Sequence, residues 1–179
     1  MLLALVGITG IGKSFFVEKI TENLNFKKVH TIRTRAPRVG ENPKYFMTDE
    51  ELNKMYDDGK IAYKFNVFGG QYGYLKGEIF SQDNMIFEMH YTTIYDWKKV
   101  RPDIKTIYLL PTNLEIAKEK TRQRNLSKEK EAERLAEIDE HYNKIMTDEN
   151  LRNQFDYIVY NNYDKESEER ILELVKKMF

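Results

Sequence analysis

The stretch that decides the fold is Gly7-Ile8-Thr9-Gly10-Ile11-Gly12-Lys13-Ser14. It fits the pattern G-x-x-x-x-G-K-[ST] without a mismatch, and it lies between an apolar run and a segment with helical periodicity. Glycines at these positions let several backbone N–H groups turn inward, and the following helix directs the positive end of its dipole to the same point. A glycine-rich turn that only connects a strand to a helix is the alternative, but the strand–loop–helix context favours a phosphate site.

Within this loop, Lys13 is expected to reach the β- and γ-phosphates of ATP, and Ser14 to ligate the Mg²⁺ that accompanies ATP. Glu88 ends a predicted central strand, where a carboxylate commonly orders Mg²⁺ or its waters. A structural role for Glu88 is equally open, because a carboxylate within an apolar run needs a partner. The ATP-binding residues predicted from the loop are Gly7, Thr9, Gly10, Ile11, Gly12, Lys13 and Ser14.

Predicted strands and helices alternate along most of the chain. Short unbroken apolar runs are typical of central parallel strands covered on both faces, whereas apolar residues three and four apart indicate helices. The alternation predicts an α/β fold of the P-loop NTPase type, a parallel sheet with helices on both faces. The predicted strands are residues 2–6, 28–34, 85–90, 104–110 and 157–160, and the predicted helices are residues 13–24, 113–122, 129–146 and 164–179.

A different pattern occupies residues 48–74. Thr48 and Glu51 have the spacing of a capping box, which predicts a short helix that ends at Gly59. Residues 61–74 are aromatic and β-favouring, so we expect a small hairpin or mixed sheet there. This segment is predicted to be an insertion in the main fold rather than a separate domain.

The composition narrows the classes of function. A chain of 179 residues suits one compact unit, and its 29 basic and 29 acidic residues balance, which gives no support for bulk nucleic-acid binding. The absence of cysteine excludes disulfides and thiolate zinc sites and is compatible with the cytoplasm. No apolar run reaches the roughly 20 residues that span a bilayer. We expect small-molecule nucleotides as binding partners, no association with a membrane, and a protein that is a monomer or a homodimer.

Two groups of basic residues are candidates for binding phosphate. Arg33, Arg35 and Arg38 lie close together in a loop-like stretch, with Tyr45 just downstream. A guanidinium grips phosphate oxygens with paired hydrogen bonds, although a solvated basic surface would also explain such a group. The second group would close over the ATP phosphates from a mobile segment. The alternative is that it forms only a solvated helix face. Its members are Lys120, Arg122, Arg124 and Arg134.

In their order along the chain, these motifs resemble those of the guanylate kinases. The stretch Arg35-Ala36-Pro37-Arg38-Val39-Gly40-Glu41 is similar to the family's R-x-P-R-x-G-E, and Tyr45-Phe46 and Tyr72-Gly73 follow in family order. The resemblance extends over nearly the whole chain. Further matches, in the family's lid and closing strand, are Arg124, Arg134-Leu135 and residues 156–161.

The resemblance implies a three-part organisation and a division of roles. Residues 1–31 and 82–179 would form the core, with a lid near 122–134, and residues 32–81 would form the insertion that binds the acceptor. Asn161 would lie near the adenine of ATP. The catalytic charges would come from Lys13, Arg35, Arg38, Arg124 and Arg134. The acceptor would contact Thr31, Arg35, Arg38, Tyr45, Tyr63, Tyr72, Tyr74, Glu88 and His90.

The resemblance fails at the positions that read the base. Where the family has a glutamate that binds the guanine N–H groups, this chain has Tyr63, and the small hydroxyl residue after Tyr-Gly is replaced by Tyr74. In place of the two acids of the family's D-x-D strand the chain has Glu88 and His90, while Thr31 keeps one hydroxyl. The new side chains either contact a base or only pack the insertion, and we expect a weakened or changed base preference.

The resemblance implies transfer of the terminal phosphoryl group of ATP, with Mg²⁺, to a nucleoside monophosphate. GMP is the acceptor that it implies, giving ADP and GDP. One alternative is a P-loop kinase of another phosphorylated acceptor, either a different nucleotide or a sugar phosphate. Another is a guanylate-kinase-like module that binds a protein partner without catalysis, against which the intact residues 7–14 argue.

Overall fold

A computed structural model describes residues 1–37, 40–67, 69–124 and 126–178. Its strands are β1 Leu2–Gly7, β2 Lys27–Lys28, β3 Thr31–Arg33, β4 Ile61–Val67, β5 Gly70–Leu75, β6 Met85–Glu88, β7 Lys105–Pro111 and β8 Tyr157–Asn161. Its helices are α1 Lys13–Asn23, α2 Asp49–Asp57, α3 Lys76–Ile79, α4 Ile94–Val100, α5 Leu114–Arg122, α6 Lys128–Thr147, α7 Glu149–Arg152 and α8 Lys165–Lys176.

The main sheet has the strand order β2-β6-β1-β7-β8, and every pairing in it is parallel. β1 lies in the middle and is buried on both faces, because its apolar run has no polar side chain to turn toward water. Leu2, Ala4 and Val6 face one core cluster, and Leu3 and Leu5 face the other. The predicted α/β fold with a parallel sheet is confirmed.

A second, smaller sheet has the order β3-β5-β4 and is antiparallel. Helix α2 packs on it through Leu52, which joins Ile32 and Ile61 in a separate small core. The predicted capping box begins this helix: the Thr48 side chain accepts a hydrogen bond from the Glu51 amide, and the Glu51 carboxylate accepts one from the Thr48 amide.

The prediction of one strand over residues 28–34 is wrong. β2 ends at Lys28, beside Ile86 of the main sheet, and β3 begins at Thr31, beside Tyr74 of the second sheet. Between them the Val29 amide still donates to Ile86, whereas the His30 amide donates to the Glu78 carboxylate. The chain therefore leaves one sheet for the other within two residues, and an apolar pattern cannot show a change of partner.

Helix α4 and its preceding turn, Tyr91–Thr93, had no counterpart among the predicted elements. The helix is only seven residues long and buries Ile94 and Trp97, too few apolar positions to establish a helical period. Trp97 contacts Tyr63 and Tyr74 of the second sheet and Phe87 of the main sheet. The unpredicted helix thus supplies the side chain that joins the two sheets.

In the part of the chain that the structure describes, no helix combines the length and the apolar character needed to cross a membrane.

Candidate active site

The glycine loop connects β1 to α1 and requires glycine at its centre. Gly10 has φ of 82°, and a Cβ there would press on the backbone oxygen of Ala117 and lie 2.9 Å from Thr121 Oγ1. Gly12 precedes α1 in the left-handed region and offers no side-chain cap to the first turn. The amides at the start of α1 are therefore left for an anion.

Lys13 lies over this loop. Its Nζ donates to the backbone oxygens of Gly7 at 2.8 Å and Ile8 at 2.9 Å. Burial lowers the pKa of Lys13 to about 8; the charge of Glu88 opposes this shift and that of Arg124 reinforces it. Since these are carbonyl contacts, a phosphate oxygen would give the ammonium a stronger, charge-assisted partner.

Ser14 and Glu88 meet at the end of β6. Ser14 Oγ donates to Glu88 Oε1 at 2.8 Å, and Glu88 pairs in the sheet with Leu5, close to the loop. The carboxylate thus has the partner that its position in an apolar strand requires. A hydroxyl and a carboxylate are the oxygen donors that Mg²⁺ prefers, so these two residues fit such an ion.

Asn161, at the end of β8, holds the glycine loop through its side-chain amide. Its Nδ2 donates to the Ile11 backbone oxygen at 2.9 Å, and its Oδ1 accepts from the Tyr163 amide at 2.9 Å. The side chain is only 3% exposed. It also borders a cavity of about 420 Å³ together with Phe15, Phe16 and Tyr163. Apolar walls beside the phosphate loop suit the nucleoside of ATP.

The main cleft, of about 910 Å³, runs from the glycine loop to the second sheet. At its far end, Arg35 donates two hydrogen bonds to the Glu41 carboxylate, at 2.6 and 2.8 Å, and one to the Tyr72 hydroxyl at 3.1 Å. The bond to Glu41 raises the pKa of the Arg35 guanidinium. Arg35 also lies over the ring of Phe46. The guanidinium is therefore held in place before any phosphate arrives.

Tyr45 and Tyr74 line the wall between the two ends of the cleft. The Tyr45 ring stacks on His30, with centroids 4.3 Å apart. Tyr74 is 2% exposed, and its phenol lies within hydrogen-bonding reach of Thr31. Burial raises the pKa of Tyr74, so the phenol is neutral.

Helix α6 covers the cleft from the side. Arg134 and His141 lie seven residues apart, on one helical face, and both reach the cleft. Arg134 donates to Glu137 at 2.6 Å. The His141 ring lies edge-on to His90, with centroids 5.3 Å apart. Burial, together with the charges of His141, Lys13 and Arg134, lowers the pKa of His90 to about 4.

The cleft thus brings together most of the predicted site residues. Asn161 lines the smaller cavity, and Ile11 is buried and takes part through its backbone. Arg38 lies outside the described residues. Those that line the cleft are Gly7, Thr9, Gly10, Gly12, Lys13, Ser14, Thr31, Arg35, Tyr45, Tyr72, Tyr74, Glu88, His90, Arg124 and Arg134.

Tyr63 is the predicted acceptor residue that does not line the cleft. Its hydroxyl donates to Asp96 Oδ2 at 3.3 Å, and its ring packs on Phe65 and Trp97. Burial, with the charge of Asp96, raises the pKa of Tyr63 to about 12. This placement favours the packing role for Tyr63, because α4, which was not predicted, provides the partners.

The sequence analysis missed several lining residues. Phe65 and Val67 of β4 face the cleft beside Tyr72 and Tyr74, and Phe15 borders both the cleft and the smaller cavity. The alternation of β4 gave a signal for Phe65 and Val67, since residues two apart share a face. His141 carried no such signal, because only tertiary packing brings α6 over β6.

One cleft therefore holds a cradle for nucleotide phosphates at one end and a fixed arginine at the other. In-line transfer between two anionic substrates requires this division, and it defines the chain as a P-loop phosphotransferase.

Comparison with known proteins narrows this class. No protein-family model matches the chain. The chain is 28% identical to the guanylate kinase of Wolbachia sp. subsp. Brugia malayi, over 99% of this chain and 92% of that protein. It is 24% identical to the guanylate kinase of Rickettsia typhi, over 98% and 90% of the two chains.

Solved structures share the fold. The crystal structure of guanylate kinase from Anaplasma phagocytophilum matches with a TM-score of 0.72 and 22% identity, over 99% of this chain and 85% of that chain. A shikimate kinase from Bacteroides thetaiotaomicron matches with a TM-score of 0.53 and 12% identity, over 99% and 97%. The chain is thus similar in sequence to guanylate kinases along nearly its whole length, and it shares their fold.

Proposed function

We propose that this protein transfers the γ-phosphoryl group of ATP to a nucleoside monophosphate, with GMP as the acceptor expected from its relatives. The observation that carries the proposal is the single cleft with Lys13 and the glycine loop at one end and Arg35 at the other. The acceptor phosphate is already anionic, so its attack needs no general base. The protein's task is to align two anions and to neutralise the charge between them.

Lys13 and the amides at the start of α1 would hold the β- and γ-phosphates. Arg124 and Arg134 line the same end of the cleft and would stabilise the charge that develops on the transferred group. Arg35, in the geometry set by Glu41 and Tyr72, would bind the acceptor phosphate. We include Arg38 in this binding group from its place in the R-x-P-R-x-G-E stretch.

ATP would bring Mg²⁺, which would neutralise part of the charge of its phosphates. Ser14 Oγ would hold the ion, and Glu88, 2.8 Å from that oxygen, would orient a water. Within the described ranges, no group of three or more His, Asp or Glu side chains is arranged to hold a metal. Most ligands would therefore come from ATP and water.

Lys13→Met tests the proposal. We expect at least about a 100-fold loss of turnover, because a charged donor aimed at the transferred group is removed. Formation of ADP from ATP in the presence of GMP measures it, and circular dichroism establishes that the variant is folded. Lys19→Met is the matched control, since Lys19 lies on the same helix, pairs with Glu22, lies over the Phe15 ring and does not line the cleft. Full turnover by folded Lys13→Met would contradict the proposed mechanism.

A further inference from the structure

We propose that the acceptor half of the cleft takes nucleoside monophosphates of more than one base, holding the base by aromatic contacts and uncharged hydrogen-bonding groups. The inference rests on the proposed function and specifies its substrate class.

Selecting guanine requires a hydrogen-bond acceptor for two adjacent donors. Guanine presents N1–H and N2–H side by side, and one carboxylate accepts both, whereas no other common base offers this pair. A pocket with such a buried carboxylate discriminates strongly, because a wrong base leaves the charge unpaired. A pocket without one loses that penalty.

Among the described residues that line the cleft, the carboxylates are Glu41 and Glu88. Glu41 receives two hydrogen bonds from Arg35, at 2.6 and 2.8 Å, and so belongs to the acceptor-phosphate end. Glu88 receives the Ser14 hydroxyl at 2.8 Å and acts on the charge of Lys13, which assigns it to the ATP end. Both are engaged with phosphate-binding groups, so we assign them to the two ends of the cleft rather than to the base.

The wall between these two ends is aromatic and rigid. Tyr74 stacks parallel to Phe65, with centroids 6.3 Å apart, and meets Trp97 edge-on at 4.9 Å. Because the Tyr74 ring is packed on several sides and 2% exposed, it cannot swing away to enlarge the site. Every base has a π-face, so contact with such a wall stabilises all of them.

The polar groups in this wall are neutral and can match either kind of partner. The Tyr74 phenol and the Thr31 hydroxyl each donate and accept. His90 lines the same cleft, and a neutral imidazole donates through one ring nitrogen and accepts through the other. Neutral hydrogen bonds of this kind separate one base from another by about one power of ten.

The test uses the full chain with ATP and Mg²⁺ and four acceptors: GMP, AMP, UMP and CMP. We expect kcat/KM values within about tenfold of one another. A preference for GMP of more than about 100-fold would overturn the inference while leaving the proposed function intact. No transfer to any of the four would overturn both. Calorimetric titration with each acceptor separates these cases further, because binding of GMP alone, even without turnover, also contradicts the inference.

A pair of variants tests the reason for the tolerance. His90→Asp adds a carboxylate to the described lining of the cleft. We expect this change to raise the ratio of kcat/KM for GMP to that for AMP by about tenfold or more. Asparagine has nearly the size of aspartate but no charge, so His90→Asn should leave the ratio within about twofold of the original. An equal shift in both variants would show that shape rather than charge sets the preference, and would overturn the argument.

Discussion

Lys13 is a buried cation beside the glycine loop that we propose to bind ATP. Its ammonium group is held by two backbone oxygens, and burial lowers its pKa to about 8. Burial removes the water that would stabilise the ammonium, and the triphosphate would stabilise it instead through its negative charge. Binding of ATP and protonation of Lys13 are therefore coupled.

This coupling predicts a fall in kcat/KM for ATP above about pH 8. The cationic form, present below that pKa, binds the phosphates, and the neutral form gains as the pH rises through it. The profile is measured from about pH 7 to pH 10 at saturating acceptor. Lys13→Arg is the control, because a guanidinium stays charged throughout and should remove the alkaline limb. A flat profile for the unaltered protein would contradict the prediction.

Site residues could be predicted from sequence where the chemistry is local. Lys13 and Ser14 belong to a contiguous motif, so they can be predicted without knowledge of any distant contact. Tyr63 shows the limit: its position was inferred by counting from Tyr72, yet its contacts with Asp96 and Trp97 depend on a helix that the sequence did not reveal. His141 is similar, since α6 brings it to His90 over a separation of 51 positions in the chain.

At the scale of the element, the end of β8 and the loop between β1 and α1 form one unit. Asn161 joins them with a donor to Ile11 and an acceptor for Tyr163. The resemblance placed Asn161 near adenine. Both polar atoms of its side-chain amide are hydrogen-bonded within the protein. We therefore interpret Asn161 as a residue that positions both the phosphate loop and the nucleoside cavity.

Asn161→Asp should weaken ATP binding by roughly 1–3 kcal/mol, because a carboxylate would face the Ile11 carbonyl and leave it unpaired. Calorimetric titration with ATP measures the loss. Asn162→Asp is the matched control: Asn162 is exposed, and its oxygen only accepts from Thr112, which a carboxylate also does. Equal weakening in the two variants would contradict a positioning role for Asn161.

The elements that the sequence predicts well are those with an internal signal. The unbroken apolar run of β1 and the capping box of α2 each lie within a few residues. The break between β2 and β3 could not be predicted, because it depends on distant partners: the Val29 amide donates to Ile86 of the main sheet, and the His30 amide donates to the Glu78 carboxylate of α3. Helix α4 is too short to show its period, and its stability comes from Trp97 in the shared core.

At the scale of the whole molecule, the two sheets share one aromatic cluster. Trp97, the single tryptophan of the chain, is fully buried between Tyr74, which lines the cleft, and Phe87 of the main sheet. Movement of the second sheet toward the loop would change the surroundings of this indole.

Trp97 fluorescence should therefore respond to the acceptor. We expect GMP to change the emission of the protein, and ATP alone to change it less, because Trp97 packs on Tyr63 and Tyr74 of the second sheet, which we assign to the acceptor. Stopped-flow or equilibrium titration measures both. Trp97→Phe should abolish the signal and identify its source. An identical response to ATP and to GMP would contradict this placement of the indole.

Strands β2 and β6 precede and follow the second sheet along the chain, and their pairing in the main sheet has a further consequence. β2 and β6 are adjacent and parallel, with Lys28 opposite Ile86, so everything between them is one enlarged connection of the kind that a single helix usually makes. Such a connection can be lengthened, shortened or exchanged without re-pairing any strand of the main sheet. A graft between residues 29 and 84 would therefore exchange most of the end of the cleft that we assign to the acceptor, including Arg35 and Tyr74, while the pairings of the main sheet stay as they are. Such a graft must still fit His90 and Trp97, which lie outside it.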